Sequence, residues 1–426
     1  MTSRPHGRPV ELLILGAGSR GATYADYARR HPGECVVVGV AEPDPVRRQA
    51  LAMAHGLPPE RVFQDWREAL ALPRLADVAV IATQDADHVA PVEAAAARSY
   101  HLLLEKPMAP DEAGCRRIVA AVRRHGVLLG VCHVLRYTAY TRALRGLLDR
   151  GAIGEIVSVE HLEPVGYWHQ AHSFVRGHWR NEAQSSPMLL AKACHDLDWL
   201  RHVVGRPCLR VSSFGSLKHF RPEERPCDAA ARCLTCPPHV ERACPYSAPR
   251  YYLGQLEAGQ TGWPLDVVTR DFTREGVLRA LETGPYGRCV YACDNDVVDH
   301  QVVNLEFTGG VTASFTMTAF TRARGRETRI FGTRGELYGD SQRLQVYDFL
   351  TGETTTLDTA VVSDGSIQSG HGGGDDGLMS AFVDAVQQGK PELILSGPEE
   401  TLESHLMVFA AERARSQAQV MDLSTG

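Results

Sequence analysis

Three groups of residues in this chain have types and spacings that can do chemistry. Gly16-Ala17-Gly18-Ser19-Arg20-Gly21 has the form G-x-G-x-x-G. At a strand-to-helix turn, Gly16 allows the tight bend, Gly18 lets main-chain amides approach a pyrophosphate, and Gly21 lets the helix pack on the strand. The helix N-terminus then turns its partial positive charge toward the phosphates. Glu42 lies about 20 residues further on, where a carboxylate accepts hydrogen bonds from the adenosine ribose hydroxyls and repels a 2′-phosphate. That favours NAD over NADP, although Arg47 and Arg48 nearby pull the other way.

The second group is Cys227, Cys233, Cys236 and Cys244, in the pattern C-x5-C-x2-C-x7-C. Four thiolates match the ligand count of a closed, structural zinc site, and a metal staple would order a stretch that lacks a hydrophobic period. An iron–sulfur cluster also takes four cysteines, often with a proline after the cysteine, as at Cys236-Pro237 and Cys244-Pro245. Zinc is the preferred expectation; free thiols or disulfides are the alternatives. The third group is Tyr167 to Arg180, YWHQAHSFVRGHWR. Tyr167, His169, His172 and Trp179 set hydrogen-bonding groups beside flat aromatic faces, which suits a polyol or sugar. Arg176 or Arg180 would instead pair with an anionic group on a substrate.

These groups need elements to hold them. Leu12–Leu15, Cys35–Ala41, Asp77–Ala82, His101–Leu104 and Val127–Val131 read as strands that are apolar throughout, with helices between them. That is the pattern of a doubly wound parallel sheet covered on both faces, a Rossmann-type α/β domain over residues 1–135. Beyond it the sequence predicts a helix over about Tyr140–Arg150 and strands at Glu155–Leu162, Val298–Phe307, Val311–Thr318, Thr328–Gly332 and Leu344–Asp348. Thr308-Gly309-Gly310 reads as a hairpin turn. Residues 136–426 are therefore expected to form an α+β domain with a mostly antiparallel open sheet. A Cys-rich insertion is expected at 218–275, and a helical tail from Asp375 with that residue as cap.

The chain has 426 residues, 44% hydrophobic and 23% charged, with a net charge of −6. This composition excludes wholesale disorder and gives no electrostatic reason to bind nucleic acid or anionic lipid. No apolar run approaches the roughly 20 residues of a membrane span, and Leu12–Leu15 is too short for a signal-peptide core. The expectation is a cytoplasmic protein with no nucleic-acid or membrane partner.

Glu105-Lys106-Pro107 directly follows the fourth strand, while Ala82-Thr83-Gln84-Asp85 and His88 follow the third. With the glycine loop, Arg136-Tyr137, Gly151–Gly154-Glu155 and His195-Asp196-Leu197-Asp198, they resemble the Gfo/Idh/MocA family of NAD(P)-dependent sugar and inositol oxidoreductases. The resemblance implies a Rossmann domain followed by an α/β domain whose open sheet backs the active site and makes a homo-oligomer plausible. It also implies that Lys106 and His195 face the nicotinamide and substrate and handle the proton. The cofactor would lie against Gly16, Gly18, Ser19, Arg20, Gly21, Glu42, Thr83, Gln84, His88, Glu105, Lys106 and Arg136. The substrate would lie against Tyr167, His169, His172, Arg176, Trp179 and Lys192. Many members carry an aspartate four residues before the histidine; here that place holds Ala191, followed by Lys192.

Taken together, these features predict an NAD-dependent dehydrogenase of a small carbohydrate or polyol, oxidising a secondary hydroxyl of a sugar, aminosugar or inositol. Two alternatives stay open. One is a redox-neutral, NAD-dependent glycoside hydrolase, for which the absent aspartate leaves room; the other is a non-catalytic NAD-sensing protein.

Overall fold

A computed structural model describes residues 8–359 and 372–424. The N-terminal half of the architecture is a six-stranded, wholly parallel sheet. Its strands are β1 (Val10–Leu15), β2 (Cys35–Ala41), β3 (Val62–Phe63), β4 (Val78–Ile81), β5 (His101–Leu104) and β6 (Leu129–Val131), in the order β3-β2-β1-β4-β5-β6. The order reverses at β1, so the crevice beyond the carboxyl ends of β1 and β4 is where such a sheet takes a ligand. Leu12–Leu15 and Val78–Ile81 are completely buried, because helices cover both faces. The two-residue β3 is too short to leave a hydrophobic period, which explains its absence from the sequence reading.

The second sheet has nine strands: β7 (Ile156–Pro164), β8 (Cys208–Ser216), β9 (His300–Phe307), β10 (Thr312–Thr318), β11 (Glu327–Gly332), β12 (Gly335–Gly339), β13 (Arg343–Asp348), β14 (Thr354–Asp358) and β15 (Met421–Asp422). Their order is β14-β13-β12-β11-β7-β10-β9-β8-β15. Only β7 and β10 pair in parallel. The β9–β10 hairpin turns through Gly309 and Gly310 at φ +83° and +80°, conformations that L side chains rarely adopt. β8, β12, β14 and β15 were not legible as strands. β14 is exposed along its whole length, so its sequence carries no inward face.

One face of this sheet is covered by the helix Met188–Val204, itself packed under the helix Pro398–Gln417. The chain then ties its two halves together. Phe382, on the helix Gly374–Gln388, lies in the core beneath the parallel sheet, against Gly130 of β6. That helix is capped at Gly373, not at Asp375, whose carboxylate instead pairs with Arg20.

Between β8 and β9 the chain contributes to neither sheet. It forms the helices Pro238–Ala243, Ala248–Glu257, Leu265–Val268 and Arg274–Thr283. A small core of Ala248, Tyr252, Leu265, Val277 and Leu281 holds them. This stretch is more helical than the aperiodic 218–275 read from sequence, because its helices are too short to build a long apolar period.

Candidate functional site

The glycine loop ends β1 and opens the helix Ser19–Arg30. Gly16 has φ +95°, and a Cβ there would stand 2.4 Å from the Ala82 carbonyl oxygen. A Cβ on Gly21 would come within 1.9 Å of the Gly16 oxygen. Both glycines are thus required by packing. Gly18, the residue capping the helix, has no side-chain cap, and open space lies where its Cβ would be. Ser19 is exposed beside it. Uncapped helix amides facing open space form a cradle for a phosphate, so the residues present fit a dinucleotide.

Glu42 directly follows β2 and is buried, its carboxylate accepting from Ala17 N at 2.6 Å and Asp44 N at 2.9 Å. Arg48 is turned onto main-chain carbonyls of Glu42 and Pro43. Thr83 and Gln84 follow β4 at the mouth of the crevice. Thr83 Oγ1 donates to Asp87 O at 3.3 Å, and Gln84 caps the turn Asp85–Asp87.

Three residues expected to touch cofactor have other partners. Arg20 donates to Glu105 Oε1 at 2.6 Å and pairs with Asp375. His88, fully buried, bridges the Pro107 oxygen at 2.8 Å and the Thr83 oxygen at 3.3 Å, fastening the loops after β4 and β5 together. Arg136, also fully buried, grips Asp198 with two bonds of 2.7 Å and reaches Glu400. Its role is to lock the helix Met188–Val204 against the C-terminal helix. Glu105 likewise works behind the site: Tyr24 Oη donates to it at 2.6 Å and the Lys106 amide at 2.9 Å. Burial works against its charged form, but Arg20, Lys106 and the Tyr24 hydroxyl outweigh it and hold the carboxyl below its ordinary value.

Lys106, joined to Pro107 by a cis peptide, points away from this support. Its Nζ donates to the Ala191 carbonyl at 2.9 Å, which brings the end of β5 against the helix Met188–Val204. From that helix, Lys192 Nζ pairs with Glu163 Oε1 at 3.1 Å. Arg326 Nη2 meets the other oxygen of Glu163 at 3.0 Å and pairs with Asp196. His161 closes the network, its Nε2 on Asp196 at 3.1 Å and its Nδ1 on Thr328 Oγ1 at 2.7 Å. His195 is buried on the same helix, its ring 5.5 Å edge-on from that of His133.

Glu163 and Arg326 escaped the sequence reading. The available signal was period two in β7, where Val159, His161 and Glu163 are all buried and face one side.

The aromatic segment starts with a helical turn, Tyr167–His169, and widens into a π-helical turn, Gln170–Arg176. Such widened turns are frequent at functional sites. Burial, then Lys192, His172 and Lys106, push the His169 imidazole well below its ordinary value. His169 is therefore a neutral group close to both lysines. His172 bonds Tyr252 Oη at 2.7 Å and stacks on Tyr286 at 4.7 Å, its pKa pushed down to about 3 by burial and Arg176. Tyr167 is exposed, edge-on to Tyr246.

Arg176 and Trp179 do not line this site. Arg176 is buried, donating to Arg288 O at 2.7 Å, Tyr246 O at 2.8 Å and Cys233 Sγ at 3.5 Å. Trp179 packs on Phe174 against the core of the second sheet. Arg180 pairs with Asp294 at 3.0 Å.

The zinc expectation is corrected. Cys227 is exposed, and among the described residues no three His, Cys, Asp or Glu side chains are gathered to share a metal ion. Cys233, Cys236 and Cys244 instead line one small pocket with Cys289, against the buried Arg176. Sequence spacing counted the thiols but did not reveal that Cys227 stays exposed while Cys289 lines the pocket with the other three. Packing onto the small core and the Arg176 bonds order the segment. Among the described residues no helix is long and apolar enough to cross a membrane.

Comparison with known proteins agrees with this architecture. A model described as the NAD-binding Rossmann fold of an oxidoreductase family matches residues 10–133, and one described as the C-terminal α/β domain of that family matches residues 145–423. The inositol 2-dehydrogenase of Streptomyces avermitilis is 38% identical over 206 residues, 47% of this chain and 55% of that one. The 2,7-anhydro-N-acetylneuraminate hydratase of Escherichia coli is 30% identical over 214 residues, 50% of this chain and 55% of that one. The match thus spans about half the length of these two relatives. An oxidoreductase domain protein from Kribbella flavida shares the fold, with a TM-score of 0.71 over 98% of this chain and 100% of that one, at 17% identity. With both halves matched almost end to end, the chain belongs to the Gfo/Idh/MocA oxidoreductase family, with its NAD-binding Rossmann fold and C-terminal α/β domain.

Proposed function

We propose that this protein is an NAD-dependent dehydrogenase acting on a secondary hydroxyl of a sugar, aminosugar or inositol. The observation that carries the reading is the contact of Lys106 Nζ with Ala191 O. It joins the edge of a dinucleotide cradle to a helix that bears Lys192 and His195. The substrate, a small molecule, would sit between that helix and His169.

When bound, the nicotinamide supplies the acceptor for the hydride leaving the carbinol carbon. The chain's own residues deal with the proton. As the carbon becomes a carbonyl, its hydroxyl proton passes to a nitrogen at the Lys106–His195 end of the site, while the ammonium of Lys192 steadies the oxygen. Positioned acid–base groups of this kind contribute about 10²–10⁴-fold. Glu163 holds Lys192 in place and balances its charge. His169, kept neutral, accepts or donates a hydrogen bond to a neighbouring substrate hydroxyl without adding charge. Glu42 favours NAD by excluding a 2′-phosphate. Pairing of copies across the uncovered face of the nine-stranded sheet, where Phe214 is exposed, belongs to the same reading.

A redox-neutral lyase or glycosidase reaction is the second reading, favoured by Ala191 in place of an acid and by the hydratase among the relatives. The test is incubation with NAD and a panel of sugars, inositols and aryl glycosides, following NADH absorbance and aglycone release together. Accumulating NADH supports the dehydrogenase; product release without net NADH transfers the protein to the second reading.

A further inference from the structure

A band of aromatic rings continues outward from His169. Trp263 stands edge-on to His169, with ring centroids 5.1 Å apart, and edge-on to His172 at 5.5 Å. Trp168 stacks on His169 at 5.5 Å and on Tyr251 at 5.1 Å, with Trp263 tilted against it at 5.5 Å. The outer members are open to solvent: Trp263 is 44% exposed and Tyr167 40%. Val267 and Phe272, a few residues beyond Trp263, are exposed as well. Aromatic rings in mutual contact that open to solvent beside a cleft mark a binding surface.

Trp263 is not on a loose loop. Leu265, two residues on, is fully buried in the small core between β8 and β9. Arg270 reaches across to the first sheet's side of the crevice and pairs with Asp44 at 2.7 Å. Asp44 also donates its amide to Glu42. The segment therefore runs from the substrate end of the crevice to the adenosine end and is fastened near both. An indole fixed in this way keeps its face available without first paying to order it.

We propose that Trp263, backed by Trp168, forms a second sugar subsite, so that the substrate carries a further hexopyranose ring beyond the one that reacts. This rests on the carbohydrate reading above and sharpens it from sugar to disaccharide or longer glycoside. The C–H face of a pyranose is apolar, and its hydrogens meet the electron-rich face of an indole favourably. A single inositol or hexose would occupy the Lys106–Lys192 end and leave the Trp263 ring in water.

The test is tryptophan-fluorescence titration of the NAD-loaded full chain with cellobiose, maltose, lactose and melibiose, and with glucose, galactose and myo-inositol. It is repeated on Trp263→Ala, Trp263→Phe and Trp168→Ala. At least one disaccharide is expected to bind about tenfold more tightly than its monosaccharides, the size of one aromatic contact. That ratio should collapse in Trp263→Ala and largely survive in Trp263→Phe. No disaccharide preference in the wild-type chain, or a ratio that all three variants leave intact, overturns the subsite. Disaccharide binding without NADH formation from any sugar leaves the subsite standing and sinks the dehydrogenase reading instead.

Discussion

Lys106 Nζ and the Ala191 carbonyl oxygen are 2.9 Å apart and 85 positions apart in sequence. Where a carboxylate at position 191 would form an ion pair with the lysine, a main-chain carbonyl only accepts a hydrogen bond. It orients the ammonium without adding a negative charge to favour it. The lysine is thereby positioned from one side of the crevice by β5 and from the other by the helix Met188–Val204.

Replacing this lysine tests its role most directly. Lys106→Ala should lower kcat by about 10²–10⁴-fold, the usual value of a positioned acid–base group. NAD affinity should stay close to that of the wild-type chain, since the glycine loop and Glu42 are untouched. Parallel measurement of steady-state rates and NAD dissociation constants decides the matter; full turnover in the variant removes Lys106 from the mechanism.

Restoring the acid should move the pH profile. In Ala191→Asp, a carboxylate beside the ammonium favours its charged form. If free lysine nitrogen takes the proton, the rising limb of kcat against pH shifts to higher pH. An unshifted profile, with the variant folded by circular dichroism, would assign that limb to another group.

Glu163 is 4% exposed and sits between Lys192 at 3.1 Å and Arg326 at 3.0 Å. Glu163→Gln leaves Lys192 without its anion, while Arg326 keeps Asp196. The expected loss is about 3 kcal/mol of unfolding free energy, read from urea denaturation. Adding Lys192→Met should recover part of that loss, because the stranded charge is gone. An unchanged urea midpoint in the single variant would mean that water already screens the pair.

These residues also mark where sequence reading stops. β1, the glycine loop and Glu105-Lys106-Pro107 are local: a strand, a turn and a tripeptide state their chemistry within a few positions. Arg20, His88 and Arg136 each bond at least one partner far off in sequence, Glu105, Pro107 and Asp198, which spacing does not disclose. Arg136 finds Asp198 62 positions away and Glu400 264 positions away, a pairing that no spacing rule reveals. The Glu163–Arg326 pair is hidden for the same reason. The cysteine pattern misled differently, since four thiols close in sequence looked like one ligand set while the fold left Cys227 outside and drew Cys289 in.

Glu42 should set the cofactor preference. Glu42→Ala removes both the ribose acceptor and the repulsion toward a 2′-phosphate, so NAD should weaken about tenfold while NADP holds or improves. The same carboxylate accepts from Ala17 N at 2.6 Å, within the glycine loop. Loss of that bond would weaken both cofactors together. Titrating each cofactor against the variant separates the two effects, and equal weakening would make Glu42 a loop-positioning residue with no say in selectivity.

Acid sensitivity should come from histidines before carboxylates. Burial pushes His133 down to about 3 and His405 and His202 down to about 4, from an ordinary 6.5. For His405 burial outweighs the Nδ1–H bond to Thr401 O at 2.8 Å, which works the other way, and Nε2 accepts from Met108 N at 3.0 Å. A proton on Nε2 would destroy that acceptor inside the core. Below pH 6.5 the unfolded chain therefore binds protons that the native chain refuses. Their contribution to stability is complete above 6.5 and falls as pH drops toward 4. Asp198, held at about 2 with burial opposing and Arg136 stabilising its charge, loses its contribution only below 3.8. The urea midpoint should thus decline steadily from pH 7 to pH 4.5, and His405→Gln should flatten that decline even though its midpoint at pH 7 is lower. A midpoint constant across that range would mean the three imidazoles take up protons without unfolding the chain.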